Sequence, residues 1–254
     1  MPDLLLGFHQ VLFILVEGRI EARAPRAETL GLVSAFDADM QTTSELNRRP
    51  SPANRPFALT KFEGSIWMGS WDTDRLYVMD PKTLQVRNEV EAPGRPYGMA
   101  AVGDELRAVV AHEHGDEDDR YLYRVRNGAY DLASKTPCPD LTGSFMTARG
   151  ATIYLGQMHY QRILEMNSDY TIRREIALPT RCAGFAFGPD GRFYMISADA
   201  EFENLKFGTL DVTQDRPQFE SIRPLPDEAR YLLHDGSVWW TSLRDLNEIA
   251  TFTN

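Results

Sequence analysis

A strand–turn–strand unit built on a glycine recurs six times, at Gly18, Gly64, Gly103, Gly150, Gly191 and Gly236, with spacings of 46, 39, 47, 41 and 45 residues. Each unit has an apolar run, a tight turn, a second apolar run, a polar loop, and a third run ending near Asp or Asn. A unit of 40–50 residues made only of strands cannot bury both of its faces alone. Stacking such units around an axis buries them all, which is the logic of a propeller blade.

The second repeat shows the pattern most fully. Phe57-Ala-Leu-Thr-Lys-Phe reads as the first strand, Glu63-Gly64 as the turn, and Ser65-Ile-Trp-Met-Gly as the second strand. Trp71-Asp-Thr-Asp is the loop, Arg75-Leu-Tyr-Val-Met-Asp80 the third strand, and Pro81-Lys-Thr a second turn before Leu84-Gln-Val-Arg-Asn-Glu-Val. Gly, Asp and Pro at the turns supply the backbone angles that tight strand connections need. The fourth repeat matches it with Phe145-Met-Thr-Ala, Ile153-Tyr-Leu-Gly and Arg162-Ile-Leu-Glu-Met-Asn167. The fifth does so with Phe185-Ala-Phe, Phe193-Tyr-Met-Ile-Ser and Phe207-Gly-Thr-Leu-Asp211.

The last repeat stops after its third strand, Glu248-Ile-Ala-Thr-Phe, and the chain begins with a spare one, Asp3-Leu-Leu-Leu-Gly-Phe. Pairing the two would close the ring and remove a free sheet edge. The expectation is therefore a single all-β domain over residues 1–254, a six-bladed β-propeller. Its blades fall at about 11–50, 55–92, 95–138, 142–180, 183–225 and 228–254, the last completed by residues 3–9. A β-sandwich, whose strands also come at 8–12-residue spacing, is the alternative, and the four-strand period disfavours it. No segment sustains a helical apolar period.

Composition narrows the function classes. A 43% hydrophobic content supports a packed core, and a formal net charge of −10 argues against a nucleic-acid partner. Cys138 and Cys182, read as inter-blade linker residues, are too few for a disulfide framework, so reduced thiols are expected. The apolar start lacks a basic leader, and no stretch has the length of a membrane span. A cytoplasmic protein with a small-molecule partner, and neither nucleic acid nor membrane, is the reading; oligomeric state is left open.

In a propeller, the approaches to each inner strand and the loops joining the second strand to the third gather on one rim. Those loops carry Trp71, Asp72, His112, Glu113, His114, His159, Tyr160, Asp199, Glu201, Arg244 and Asp245. The approaches add Arg55, Arg95, Thr142, Arg181 and Arg230. Three of the five histidines fall on this rim. His112 or His159 suits acid–base catalysis, with Glu113 or Glu201 orienting it. His112, His114 and His159 also suit a divalent metal, although residues 112 and 114 alternate faces along a strand; ordinary loop hydrogen bonding is the third reading. Arg55, Arg95 and Arg181, with Arg244, are candidates to clamp a carboxylate or phosphate, or to bridge blades. Trp71 is a stacking platform or a packing residue, and Asp72 and Tyr160 complete the candidate substrate-binding set. No phosphate loop, nucleophile elbow or C-x-x-C pair is present.

The strand Leu76-Tyr-Val-Met-Asp80-Pro-Lys-Thr, with Arg95-Pro-Tyr-Gly98 and Phe185-Ala-Phe-Gly-Pro-Asp-Gly191, resembles the six-bladed gluconolactonase/strictosidine-synthase-like superfamily. It is also similar to the related Tyr-Val-Thr-Asn and NHL repeat propellers. The resemblance spans nearly the whole chain at the level of repeats. It implies a central-channel site, and in the lactonases a divalent metal held by carboxylate and Asn ligands. The lactonase Glu-Gly-Pro hallmark is absent here, so no metal ligand carries over. The expectation is a small-molecule enzyme at the channel mouth, performing lactone or ester hydrolysis, elimination or cyclisation, with a divalent metal possible as cofactor. The alternative is a non-catalytic propeller that binds a ligand or a protein.

Overall fold

The computed structural model describes residues 46–112 and 119–253, together with the backbone of strands at 5–8, 11–16 and 19–23. It divides into two compact units, Met1–Ser44 and Glu45–Asn254. In the first unit, β1 (Leu5–Phe8), β2 (Val11–Val16) and β3 (Arg19–Arg23) form one antiparallel sheet in the order β1-β2-β3.

The second unit holds five four-stranded antiparallel sheets. After β4 (Asn47–Pro50), blade I runs through β5 (Pro56–Phe62), β6 (Ser65–Ser70), β7 (Arg75–Met79) and β8 (Val86–Glu91). Blade II comprises β9 (Arg95–Val102), β10 (Glu105–Ala111), β11 (Arg120–Arg126) and β12 (Ala129–Pro137). Blade III comprises β13 (Phe145–Arg149), β14 (Thr152–Gln157), β15 (Arg162–Met166) and β16 (Ile172–Ala177). Blade IV comprises β17 (Arg181–Phe187), β18 (Phe193–Ala198), β19 (Lys206–Leu210) and β20 (Phe219–Pro224). Blade V takes β21 (Ala229–His234), β22 (Trp239–Leu243) and β23 (Glu248–Phe252), with β4 as its outer strand.

The inner strands β5, β9, β13, β17 and β21 contact one another in that cyclic order, and β21 returns to β5. The unit is thus a closed five-bladed β-propeller. The expected six-bladed ring is corrected on two counts. The first repeat contributes no blade, because its described strands pair among themselves, β1 with β2 and β2 with β3. The strand that completes the last blade is Asn47–Pro50, not residues 3–9. Chain geometry accounts for both. A two-residue link between β1 and β2 makes their hairpin the shortest loop closure available. Asn47–Pro50 lies just ahead of β5, so one short connection closes blade V and feeds blade I. That connection is stitched down where the Ser51 amide donates to Asn247 O at 2.9 Å and the Arg55 amide to Asn247 Oδ1 at 2.8 Å.

Burial grades from the axis outwards. β6 is wholly buried, and β5 nearly so, whereas β4, β8, β12 and β20 are mostly exposed or half-buried. Each sheet packs both faces on neighbours, so inner strands read as continuous apolar runs and outer ones as alternating or polar. The five turn glycines of blades I–V all adopt the left-handed conformation, with φ from +60° to +103°. Gly18 lies outside the described residues. The described residues contain helix only as two 3-10 turns, Pro139–Leu141 and Arg244–Leu246. Cys138 and Cys182 are buried and free. Cys182 sits within β17 rather than in a linker.

Candidate active site at the arginine-lined mouth

The axis of the ring is filled. Phe57 of blade I stacks on Phe145 of blade III at 5.6 Å between ring centroids, and Tyr231 of blade V meets them at 6.0 and 5.9 Å. Blades I and III, and III and V, are not neighbours, so these three rings meet only by crossing the centre. The Tyr231 hydroxyl accepts the Met99 amide at 2.7 Å and lies 2.9 Å from the carbonyls of both Met99 and Met146. Burial drives its pKa upwards, against those backbone bonds, so it stays protonated and can donate. Gly184 makes room for this tyrosine, because a Cβ there would lie 2.6 Å from the Tyr231 Cα and carbonyl carbon.

Above the plug sits Trp71, 4.5 Å from Phe57 and 4.8 Å from Tyr97. Three guanidiniums surround its ring: Arg244 at 4.8 Å, Arg55 at 5.2 Å and Arg95 at 5.5 Å from the centroid. They come from blades V, I and II. Arg95 Nε also donates to Trp71 O at 3.1 Å. Arg55 pairs with Asp72 at 3.6 Å, and Arg244 grips Asp245 through two bonds of 3.0 Å. The Arg244 bonds hold the Asp245 carboxyl below the usual range against the opposing effect of burial, with help from Arg230 and Arg55.

Two further arginines are more than nine-tenths buried. Arg120 lies across Ala111 from Arg95 in one cross-strand row, 3.9 Å from the Tyr97 ring centroid. It donates to Gly143 O at 2.6 Å and Ser144 Oγ at 3.0 Å. Arg230 donates to the carbonyls of Asp227 and Ala229 at 2.6 and 2.8 Å. Burial, and then the charge of Arg244, lower its pKa. Arg181 and Arg230 both lie over the ring of Phe202, at 5.4 and 5.5 Å. Such contacts are individually modest, but a buried guanidinium with no carboxylate in direct contact stands ready to accept an anion.

The structure therefore draws Arg55, Arg95, Arg244, Trp71 and Asp72 together. Arg181 joins Arg230 at Phe202. His112 follows Ala111, the cross-strand partner of Arg95, and packs its ring on aromatic side chains of blade II. Its Nε2 lies 2.5 Å from the Tyr123 hydroxyl, and its ring packs 4.9 Å from Tyr121 and 5.8 Å from Tyr123. Burial, then the charge of Lys135, lower the His112 pKa against the pull of Asp119. His159 and Glu201 are exposed. No hydrogen bond or ion pair joins His112, His159 and Glu201 among the described residues. Tyr160 is turned outwards, beneath Arg162, lining a cleft of about 580 Å³ between blades III and IV. Glu113 and His114 lie outside the described residues. Among the described residues no group of three or more His, Cys, Asp or Glu side chains is placed to hold a metal ion.

Sequence reasoning missed Arg120, Tyr123, Phe202 and Tyr231. Arg120 was detectable in principle as the β11 counterpart of Arg75 and Arg162, each of which opens the third strand of its blade. Tyr231 carries no local signal, since only the closed ring brings Met99 and Met146 to it, and Phe202 meets Arg181 of its own blade and Arg230 of the next through loop packing that repeat position does not reveal.

Comparison with solved structures places this architecture. The glutaminyl cyclase of Myxococcus xanthus superposes with a TM-score of 0.60 at 9% identity, over 82% of this chain and 94% of that one. The PQQ-bound aldose sugar dehydrogenase of Streptomyces coelicolor does so with a TM-score of 0.52 at 13% identity, over 80% of each chain. Hydrazine synthase from Kuenenia stuttgartiensis matches at 15% identity with a TM-score of 0.48 over 76% of this chain, which spans 56% of that protein's length. The likeness is one of fold. No protein-family model matches the sequence, and no curated protein sequence does either. No helix among the described residues is long and apolar enough to cross a membrane.

Proposed function

We propose that the protein is a propeller enzyme that acts by proton transfer on a small anionic or carbonyl-bearing metabolite seated above the aromatic plug. The observation that supports this best is the convergence of Arg55, Arg95 and Arg244, from three blades, on Trp71. In a chain of net charge −10, such a cluster is a local concentration of positive charge on an otherwise acidic protein, which steers and holds an anion. The guanidinium fork binds carboxylate or phosphate through two bonds, and the same donors stabilise charge developing on a carbonyl oxygen. His112 is the proton carrier in this reading. Its lowered pKa keeps the imidazole neutral and able to accept a proton at pH 7, and the Tyr123 hydroxyl fixes the orientation of the ring. His159 and Glu201 are the second acid–base candidates on the rim. Hydrolysis of a lactone or ester, elimination and cyclisation all use these parts, and the gluconolactonase-like resemblance favours the first.

A ligand-binding propeller without catalysis is the second reading, favoured by the lack of contact between His112, His159 and Glu201. Thermal-shift and turnover measurements on a panel of carboxylated lactones and esters separate the two. Arg95→Ala is expected to abolish ligand-induced stabilisation. His112→Ala is expected to cut turnover by about 100-fold or more while leaving that stabilisation in place. Full turnover in both His112→Ala and His159→Ala would overturn the catalytic reading.

A further inference from the structure

The mouth carries two arginine–aromatic groupings rather than one. At Trp71 stand Arg55, Arg95 and Arg244; at Phe202 stand Arg181 and Arg230. The groupings adjoin, because the Arg244 amide donates to Glu228 O at 3.3 Å and the charge of Arg244 acts directly on Arg230. Their donors are only partly used. Arg95 engages its Nε alone, and Arg230 one terminal nitrogen, whereas Arg181 makes no hydrogen bond or ion pair among the described residues. Asp72 and Asp245 form ion pairs with the Trp71 group only, and Asp245, Glu228 and Asp227 act on Arg230 through space without an ion pair. The Trp71 ring is itself packed against Phe57 and Tyr97. What the mouth presents to a ligand is therefore charge in two places.

Resting on the anionic-substrate reading above, we propose that the mouth takes a ligand with two separated anionic groups, one seated by Arg95 and Arg244 at Trp71 and the other by Arg181 and Arg230 at Phe202. The class is a short dicarboxylate or a phosphate-bearing carboxylate. A buried guanidinium such as Arg230, lacking an ion pair, gains most from the second group, because the attraction acts where water is excluded.

Calorimetric titration at fixed ionic strength tests this, with propionate, malonate, succinate, glutarate, adipate and 3-phosphonopropionate as probes. The expected result is a length-dependent optimum, one dianion binding at least about tenfold more tightly than propionate. Arg95→Gln and Arg181→Gln should each drop that dianion to the propionate level. Arg181→Lys, which keeps the charge, should recover part of the loss, and melting curves check that each variant is folded. Dianions no tighter than propionate, with propionate binding still lost in Arg95→Gln, would overturn the two-site inference and leave the anionic-substrate reading standing. No binding by any probe would overturn both.

Discussion

Tyr231 reaches across the ring axis to Met99, 132 residues away in sequence, accepting its amide at 2.7 Å while lying 2.9 Å from its carbonyl. One side chain of blade V thereby ties together blades II and III. Tyr231→Phe keeps the ring but strands the buried Met99 amide and whichever carbonyl, of Met99 or Met146, takes the hydroxyl proton. The expected cost is about 1–3 kcal/mol, read as a lower denaturant midpoint with an unchanged slope. No change in midpoint would show that the hydroxyl is dispensable to the plug.

Acid should destabilise the protein in two stages. His112 and His234 have lowered pKa values, chiefly through burial, so the unfolded chain binds protons that the folded one refuses. Stability contributed by these two groups is complete at higher pH and declines as pH falls below about 6.5. The aspartates add a second fall. Backbone amides of Thr83 and Lys82 hold the Asp80 carboxyl low, the Thr213 hydroxyl and amide do so for Asp211, and Asp235 is held low by the Val238 and Ser237 amides although burial opposes it. Their contribution is present above about pH 4 and is lost as pH drops through the folded values. Melting temperature against pH should show both stages, and an Asp80→Ala, Asp211→Ala double variant should flatten the lower one. An unchanged lower stage would contradict this.

Cys138 and Cys182 are both pushed up to about 12 by burial. A thiol so poised is a poor nucleophile at pH 8. Neither should react measurably with a thiol reagent in the native state, and both should react on unfolding. Rapid native labelling of either would contradict the burial shown here.

Ring closure by Asn47–Pro50 makes a sharp distinction between two truncations. Removal of residues 1–44 should leave the five-sheet unit with its cooperative melting transition. Removal of residues 1–50 should expose the edge of Glu248–Phe252, lowering the melting temperature and promoting aggregation. Equal behaviour of the two would place closure elsewhere.

The propeller class was legible because turn glycines and alternating apolar runs are local signals, as at Gly64 between Pro56–Phe62 and Ser65–Ser70. Blade number was not. The hairpin around Gly18 carries the same local signature as a true blade, and only strand pairing distinguishes Leu5–Phe8 from Asn47–Pro50. At the mouth, Arg55, Arg95 and Trp71 could be placed by repeat position alone. Grouping the rim histidines could not succeed on that basis. A loop position says which rim a residue occupies, whereas the direction of His112 towards Tyr123 depends on packing within blade II. The same limit hid Phe202, which meets Arg181 of its own blade and Arg230 of the next only through the packing of its loop.

The most direct test of the anion-binding mouth is residue-resolved. Nitrogen–hydrogen correlations of the arginine Nε groups can be followed by NMR as the protein is titrated with glutarate. The account requires saturable shifts at Arg95, Arg181, Arg230 and Arg244, with Arg149 and Arg192 left unmoved; these two line a second cleft, distinct from the one at Tyr160 and also of about 580 Å³, around Phe187 and Gly191. Shifts confined to Arg149 and Arg192, or none at any arginine, would contradict it.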